Sequence, residues 1–101
     1  MPARPDPDAQ GMDPEVELMV PRRIAEGRAV VRAVRTGRTV LINLELLNQA
    51  QGQRLVDFVA GGVAALVGQT QRLGPLVLLA APGWVRLVEL QGGEAAASEE
   101  P

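Results

Sequence analysis

The chain has no histidine, no cysteine, no tyrosine and no lysine, and its one serine, Ser98, stands in an acidic stretch near the C-terminus. Without those groups most general-base, nucleophile and Schiff-base arrangements have no residues to work with. The missing cysteines also remove disulfides, thiolate chemistry and sulfur-ligated metal sites. The carboxylates of the middle of the chain, Glu15, Glu17, Glu26, Glu45, Asp57 and Glu89, are spread without metal-ligand spacing. The adjacent glycines Gly61-Gly62 fall inside a helical pattern and not after a strand, so no phosphate-cradling loop is present. The residues therefore predict a protein that is not an enzyme and takes neither a metal nor a cofactor.

Aromatic residues are almost as scarce, with one phenylalanine and one tryptophan, so the core has to be aliphatic. A net charge of -2 lacks the basic excess on which nucleic acid and anionic membrane binding rest. Arg28, Arg32 and Arg35 line one helix face, but no aromatic stacking platform accompanies them, and they read chiefly as a solvated surface. The uninterrupted apolar run from Phe58 to Val67 is about half of the roughly 20 residues that a membrane-spanning helix needs. No secretory signal opens the chain. These absences point to a cytoplasmic protein whose partners are other proteins.

At 101 residues the chain holds one small domain. Residues 1–14 carry four prolines and three aspartates and read as a disordered lead, while residues 91–101 read as an acidic solvated tail. The folded core is expected over residues 15–90. Within it, Val16 to Val20 alternates as a strand with Val16, Leu18 and Val20 inward, and Pro21 ends it. Arg22 to Arg35 has helical spacing and is closed by Gly37. The nearly continuous apolar run Thr39 to Leu44 suits a central strand covered on both faces, parallel to the first. Gln69 to Leu73 and Leu76 to Ala81 form a hairpin turning at Gly74-Pro75, and Val85 to Leu90 alternates as a final edge strand. The prediction is an α/β two-layer sandwich of two helices against a mixed sheet of about five strands.

The second helix is the most informative segment. Asn48 can cap it, with Gln51 three residues on completing a capping box. Leu55, Phe58, Val59, Gly62 and Leu66 form one stripe, expected to face the sheet. Val56, Ala60, Val63 and Val67 lie beside it, and Gly61, Ala64 and Ala65 widen the apolar arc beyond what one sheet can cover. Each glycine costs about 1 kcal/mol of helix stability relative to alanine. A second chain packed closely on that surface would account for the cost, so Gly61, Gly62, Ala64 and Ala65 are candidate self-association residues. Asp57 reads as a rim residue in water or a partner of Arg54. Trp84, in the turn Pro82-Gly83-Trp84, either packs over the sheet end or stands out as an interface anchor.

The segments GRTVLINL, QRLVDFVAGGVAAL and GQTQRLGPLVLLAAP, between Arg22 and Val85, resemble the core domain of the SepF family of bacterial cell-division proteins. The resemblance covers about three-quarters of the chain and rests especially on Arg54, Asp57, Phe58, Gly61, Gly68 and Pro82. It implies an α/β sandwich that forms a homodimer and higher oligomers, and that binds the C-terminal tail of the tubulin-like protein FtsZ, aligning or bundling filaments at the division septum. The glycine-bearing helix would join subunits through Gly61 and its neighbours, and Arg72 and Leu78 match tail-binding positions. Two departures stand out: the family usually has an aromatic at the positions of Leu78 and Ala64. The lead also lacks the family's amphipathic membrane helix, which implies a cytoplasmic chain at the division site without a direct membrane anchor, working beside a full-length SepF. The alternative is a cytoplasmic dimeric paralogue that has lost FtsZ and binds another peptide or a small ligand.

Overall fold

Asn48 starts the longest helix as its sequence requires. Its side chain accepts from the Gln51 backbone N–H at 2.8 Å, and the Gln51 side chain accepts from the Asn48 N–H at 3.0 Å. Two of the donors left open at a helix start are thereby satisfied. The computed structural model in which this is seen describes residues 15–90, so the readings for residues 1–14 and 91–101 lie outside the described residues.

The elements run in the order β1 (Val16–Met19), a 3-10 turn (Ile24–Glu26), α1 (Gly27–Arg35), β2 (Thr39–Asn43), α2 (Gln49–Ala65), β3 (Gln69–Gly74) and β4 (Val77–Ala81). The four strands form one sheet in the order β1-β2-β4-β3. β1 and β2 are parallel, and the other two pairings are antiparallel. This is the mixed α/β sheet with two helices that was expected, with one strand fewer. Val85 to Leu90, expected as a fifth strand, joins no ladder. Its first residue closes a turn, Val85 N–H to the Pro82 carbonyl, and the Gln69 side chain donates to the carbonyls of Pro82 and Val85. The Gln69 side chain thus pins the turn at both ends and reaches the expected strand only at its first residue.

Both helices end in the same way. After α1 the N–H of Gly37 bonds the Val34 carbonyl and that of Arg38 the Ala33 carbonyl, with Gly37 at φ 92°. After α2 the N–H of Val67 bonds Ala64 and that of Gly68 bonds Val63, but here the left-handed residue is Val67, at φ 59°. Such caps normally place glycine at the left-handed position. Gly68 stands one residue beyond it, where a Cβ would lie 2.7 Å from Val63 Cγ1 and 2.8 Å from the Ala81 carbonyl oxygen.

The core is aliphatic, as the shortage of aromatics demands. Val30 and Val34 of α1 and Leu55, Val59 and Val63 of α2 meet Val40 and Ile42 of β2 and Leu78 and Ala80 of β4. The pairing Val40↔Ala80 and Ile42↔Leu78 aligns those four residues on the helix side of the sheet. The intervening row, Leu18, Leu41 and Leu79, faces away from the helices. β2 is therefore covered by helices on one face only.

The same register reverses the expectation for β1. Met19 pairs with Ile42 and packs against the core, while Val16, Leu18 and Val20 are exposed, Leu18 by 75%. Alternation identified the strand correctly, but pairing decides which set of side chains faces inward. Glu17, on the inward set at a sheet edge, reaches Arg38 at 2.7 Å.

Candidate functional site

The two candidate surfaces suggested by sequence lie on different elements, one on α2 and one around the β3–β4 hairpin. The first is α2. Its buried residues are Gly52, Leu55, Val56, Val59 and Val63. Phe58 is 47% exposed and Leu66 36%, so neither belongs to the sheet-facing stripe to which they were assigned. Gly62 leaves that stripe too, because it faces α1: a Cβ there would lie 2.7 Å from Val31 Cγ2. Gly61 has no neighbour within 4 Å of such an atom, and Ala64 and Ala65 are exposed. Gly61, Ala64 and Ala65 thus share the solvent side of α2, while Gly62 is engaged within the chain. Asp57 accepts a hydrogen bond from Gln53 at 2.8 Å, in place of the suggested Arg54 pair.

The second surface surrounds the β3–β4 hairpin. Arg72 lies directly across from Leu78 in the pairing. Leu78 is only 3% exposed, beneath the helices, whereas Arg72, on the edge strand, extends into solvent and bonds the carbonyls of Gly74 and Pro75 at 3.2 and 3.3 Å. Beside Arg72 is a recess of about 410 Å³. Its apolar part is formed by Leu73, Leu79, Leu87 and Val88, and its charged rim by Arg72, Arg86 and Glu89. Leu78 does not line it; its neighbour Leu79 does, because successive strand residues point to opposite faces.

Leu79 and Arg86 were not singled out from the sequence. The run VLLAA shows no alternation by which to choose between Leu78 and Leu79, and Arg86 sits in a segment expected to be a strand. The recess combines an apolar floor, two guanidinium groups and an unpaired strand edge, which suits a peptide carrying both apolar and acidic side chains. Among the described residues no group of three or more His, Cys, Asp or Glu side chains could hold a metal ion, and no helix is long and apolar enough to cross a membrane.

The family model described as cell division protein SepF matches residues 16–87, from the first residue of β1 to the segment beside Arg72. The chain belongs to the SepF family. A cell division protein SepF from Prochlorococcus marinus is 37% identical over 95 residues, which is 94% of this chain and 50% of the relative. One from Synechococcus elongatus is 40% identical over 87 residues, 86% of this chain and 45% of the relative. The chain thus spans about half the length of the curated SepF proteins it matches. Its fold is that of a SepF-like protein from Pyrococcus furiosus, with TM-score 0.67 at 15% identity over 75% of this chain and 95% of that one. It also matches the cell division protein SepF from Methanobrevibacter smithii solved in complex with FtsZ-CTD, with TM-score 0.53 at 18% identity, covering 74% and 98% of the two chains.

Proposed function

We propose that the chain is a cell-division adaptor that binds the C-terminal tail of FtsZ at the β3–β4 recess and self-associates through α2, so that its assemblies align or bundle FtsZ filaments at the division septum. The observation that carries the reading is the recess itself: Arg72 and Arg86 stand over Leu73, Leu79 and Val88 at an open strand edge, in a chain of the SepF family. A SepF from Methanobrevibacter smithii with the same fold has been solved with FtsZ-CTD. Arg72 acts by direct contact, and Leu78 by holding β4 in place from the buried side. An assembled ring or filament of such subunits presents many weak sites together, and the effective concentration this creates lets modest affinity per tail hold a filament.

The deciding measurement is titration of the full chain with an FtsZ C-terminal tail peptide by calorimetry. Binding that Arg72→Glu abolishes supports the adaptor. No binding at high micromolar peptide overturns it and leaves the paralogue that takes another ligand. The assembly half is tested separately by light scattering. Gly61→Lys, which adds a long cation to the open side of α2, should give a smaller species than the unmodified chain, and an unchanged size would dismiss α2 as the contact.

A further inference from the structure

We propose that the recess at the C-terminal ends of the two helices, walled by Trp84 and Val67, binds a short acidic peptide segment of another protein that carries a bulky apolar side chain. This site is separate from the β3–β4 recess. Val34, Arg35 and Gly37 of the α1 end, Leu66 and Val67 of the α2 end, and the Pro82-Gly83-Trp84 turn line an open recess of about 420 Å³. That volume lies within the range of roughly 300–1,000 Å³ typical of ligand pockets.

The walls are held in place. Gly83 lies so near Val67 that a Cβ on it would overlap the Val67 carbonyl oxygen, and Gln69 holds both ends of the Pro82–Val85 turn. Trp84 leans on the left-handed Gly37, where a Cβ would stand 3.7 Å from Trp84 Cζ2, yet the indole is 77% exposed. Val67 is 82% exposed while occupying the left-handed cap position, which a β-branched residue adopts only under strain. A cap whose only task was to end α2 would be better served by glycine. The exposed isopropyl group is explained if it makes an apolar wall for something that binds.

The charge around the recess states what binds. Arg35 is its charged lining residue, no carboxylate lines it, and Arg28 and Arg32 continue the basic row along α1. The ion pair found among the described residues uses Arg38 and Glu17, so Arg35 has no carboxylate partner there. A second copy of the chain meeting this surface about a two-fold axis would present the same patch, whose lining holds no carboxylate to pair with Arg35, which disfavours it. An acidic segment with a phenylalanine or leucine for the space between Trp84 and Val67 satisfies both features.

Trp84 is the sole tryptophan and the chain has no tyrosine, so its emission reports on this recess directly. The probe is the capped octapeptide Glu-Glu-Asp-Phe-Leu-Asp-Glu-Glu, with a counterpart that has lysine at each acidic position, added to the full chain. The acidic peptide should shift Trp84 emission to the blue and saturate. Arg35→Glu should weaken it by about tenfold or more. Val67→Gly, which keeps the cap, should weaken it severalfold, and Arg72→Glu should leave it unchanged. The proposal is overturned by an unshifted emission at millimolar peptide, by equal binding of the lysine peptide, or by indifference to Arg35→Glu. Emission that varies with protein concentration in the absence of peptide would assign the recess to a second copy, and a larger shift with an oligothymidylate would assign it to single-stranded nucleic acid. Either result overturns the peptide assignment.

Discussion

Gly62 of α2 and Val31 of α1 are in direct apposition: a Cβ on Gly62 would lie 2.7 Å from Val31 Cγ2, closer than real Cβ atoms approach a neighbour. The preceding residue, Gly61, faces open space. The two glycines therefore have different reasons to be there, one in the helix–helix contact within the chain and one on the outer surface.

The glycine pair predicts opposite responses to the same substitution. Gly62→Ala must push Val31 aside and should destabilise the fold, since overpacking typically costs about 1–3 kcal/mol against a helix-propensity gain of about 1 kcal/mol. Gly61→Ala meets nothing and should stabilise the fold by up to about 1 kcal/mol. Urea unfolding of the two variants checks this, and equal shifts in midpoint would contradict the packing of α1 on α2.

The reciprocal cap at Asn48 should contribute in the usual range. Asn48→Ala removes the acceptor for the Gln51 N–H and should cost about 1 kcal/mol. The loss should appear as a lowered denaturant midpoint with an unchanged slope.

Val67 carries strain that a single change relieves. With 82% of the residue exposed, Val67→Gly gives up little burial and frees the left-handed cap, so stability should rise by up to about 1 kcal/mol. A fall in thermal midpoint would show that the isopropyl group supports the fold after all.

Arg72 and Leu78 should separate binding from folding. Leu78→Ala opens a cavity beneath both helices and should cost about 2–5 kcal/mol, whereas Arg72→Glu, at the exposed edge, should change stability by no more than about 0.5 kcal/mol. Calorimetric scans of the two proteins measure the difference. A stable Leu78→Ala protein would mean that the helices do not close over β4.

Particular residues show where the sequence was legible. The capping box was visible because it depends on residues three apart in the chain, and the hairpin because Gly74-Pro75 is a turn-forming dipeptide between two segments of strand length. The inward face of β1 was not, since alternation is symmetric and only the alignment of Met19 with Ile42 chooses between its two faces. The stripe of α2 was misassigned at Phe58, Gly62 and Leu66 because the helix packs against two partners, and helical spacing cannot say which stripe meets the sheet and which meets α1. The segment after Trp84 alternates like a strand but pairs with none; the Gln69 side chain reaches it only at the Val85 carbonyl, and alternation cannot say whether a partner strand is within reach.

The amino-acid sequence by itself determined the lack of histidine, cysteine, tyrosine and lysine, the aliphatic core, the two helices and the SepF resemblance, because composition, local spacing and capping are properties of neighbouring residues. Only the tertiary structure decided that Leu79 and Arg86, rather than Leu78, accompany Arg72 at the recess, that Gly62 belongs to the chain's own interior, and that Trp84 and Val67 stand together in solvent. Those facts depend on strand register and on the approach of one helix to another, which join residues far apart in the chain and leave no local signature.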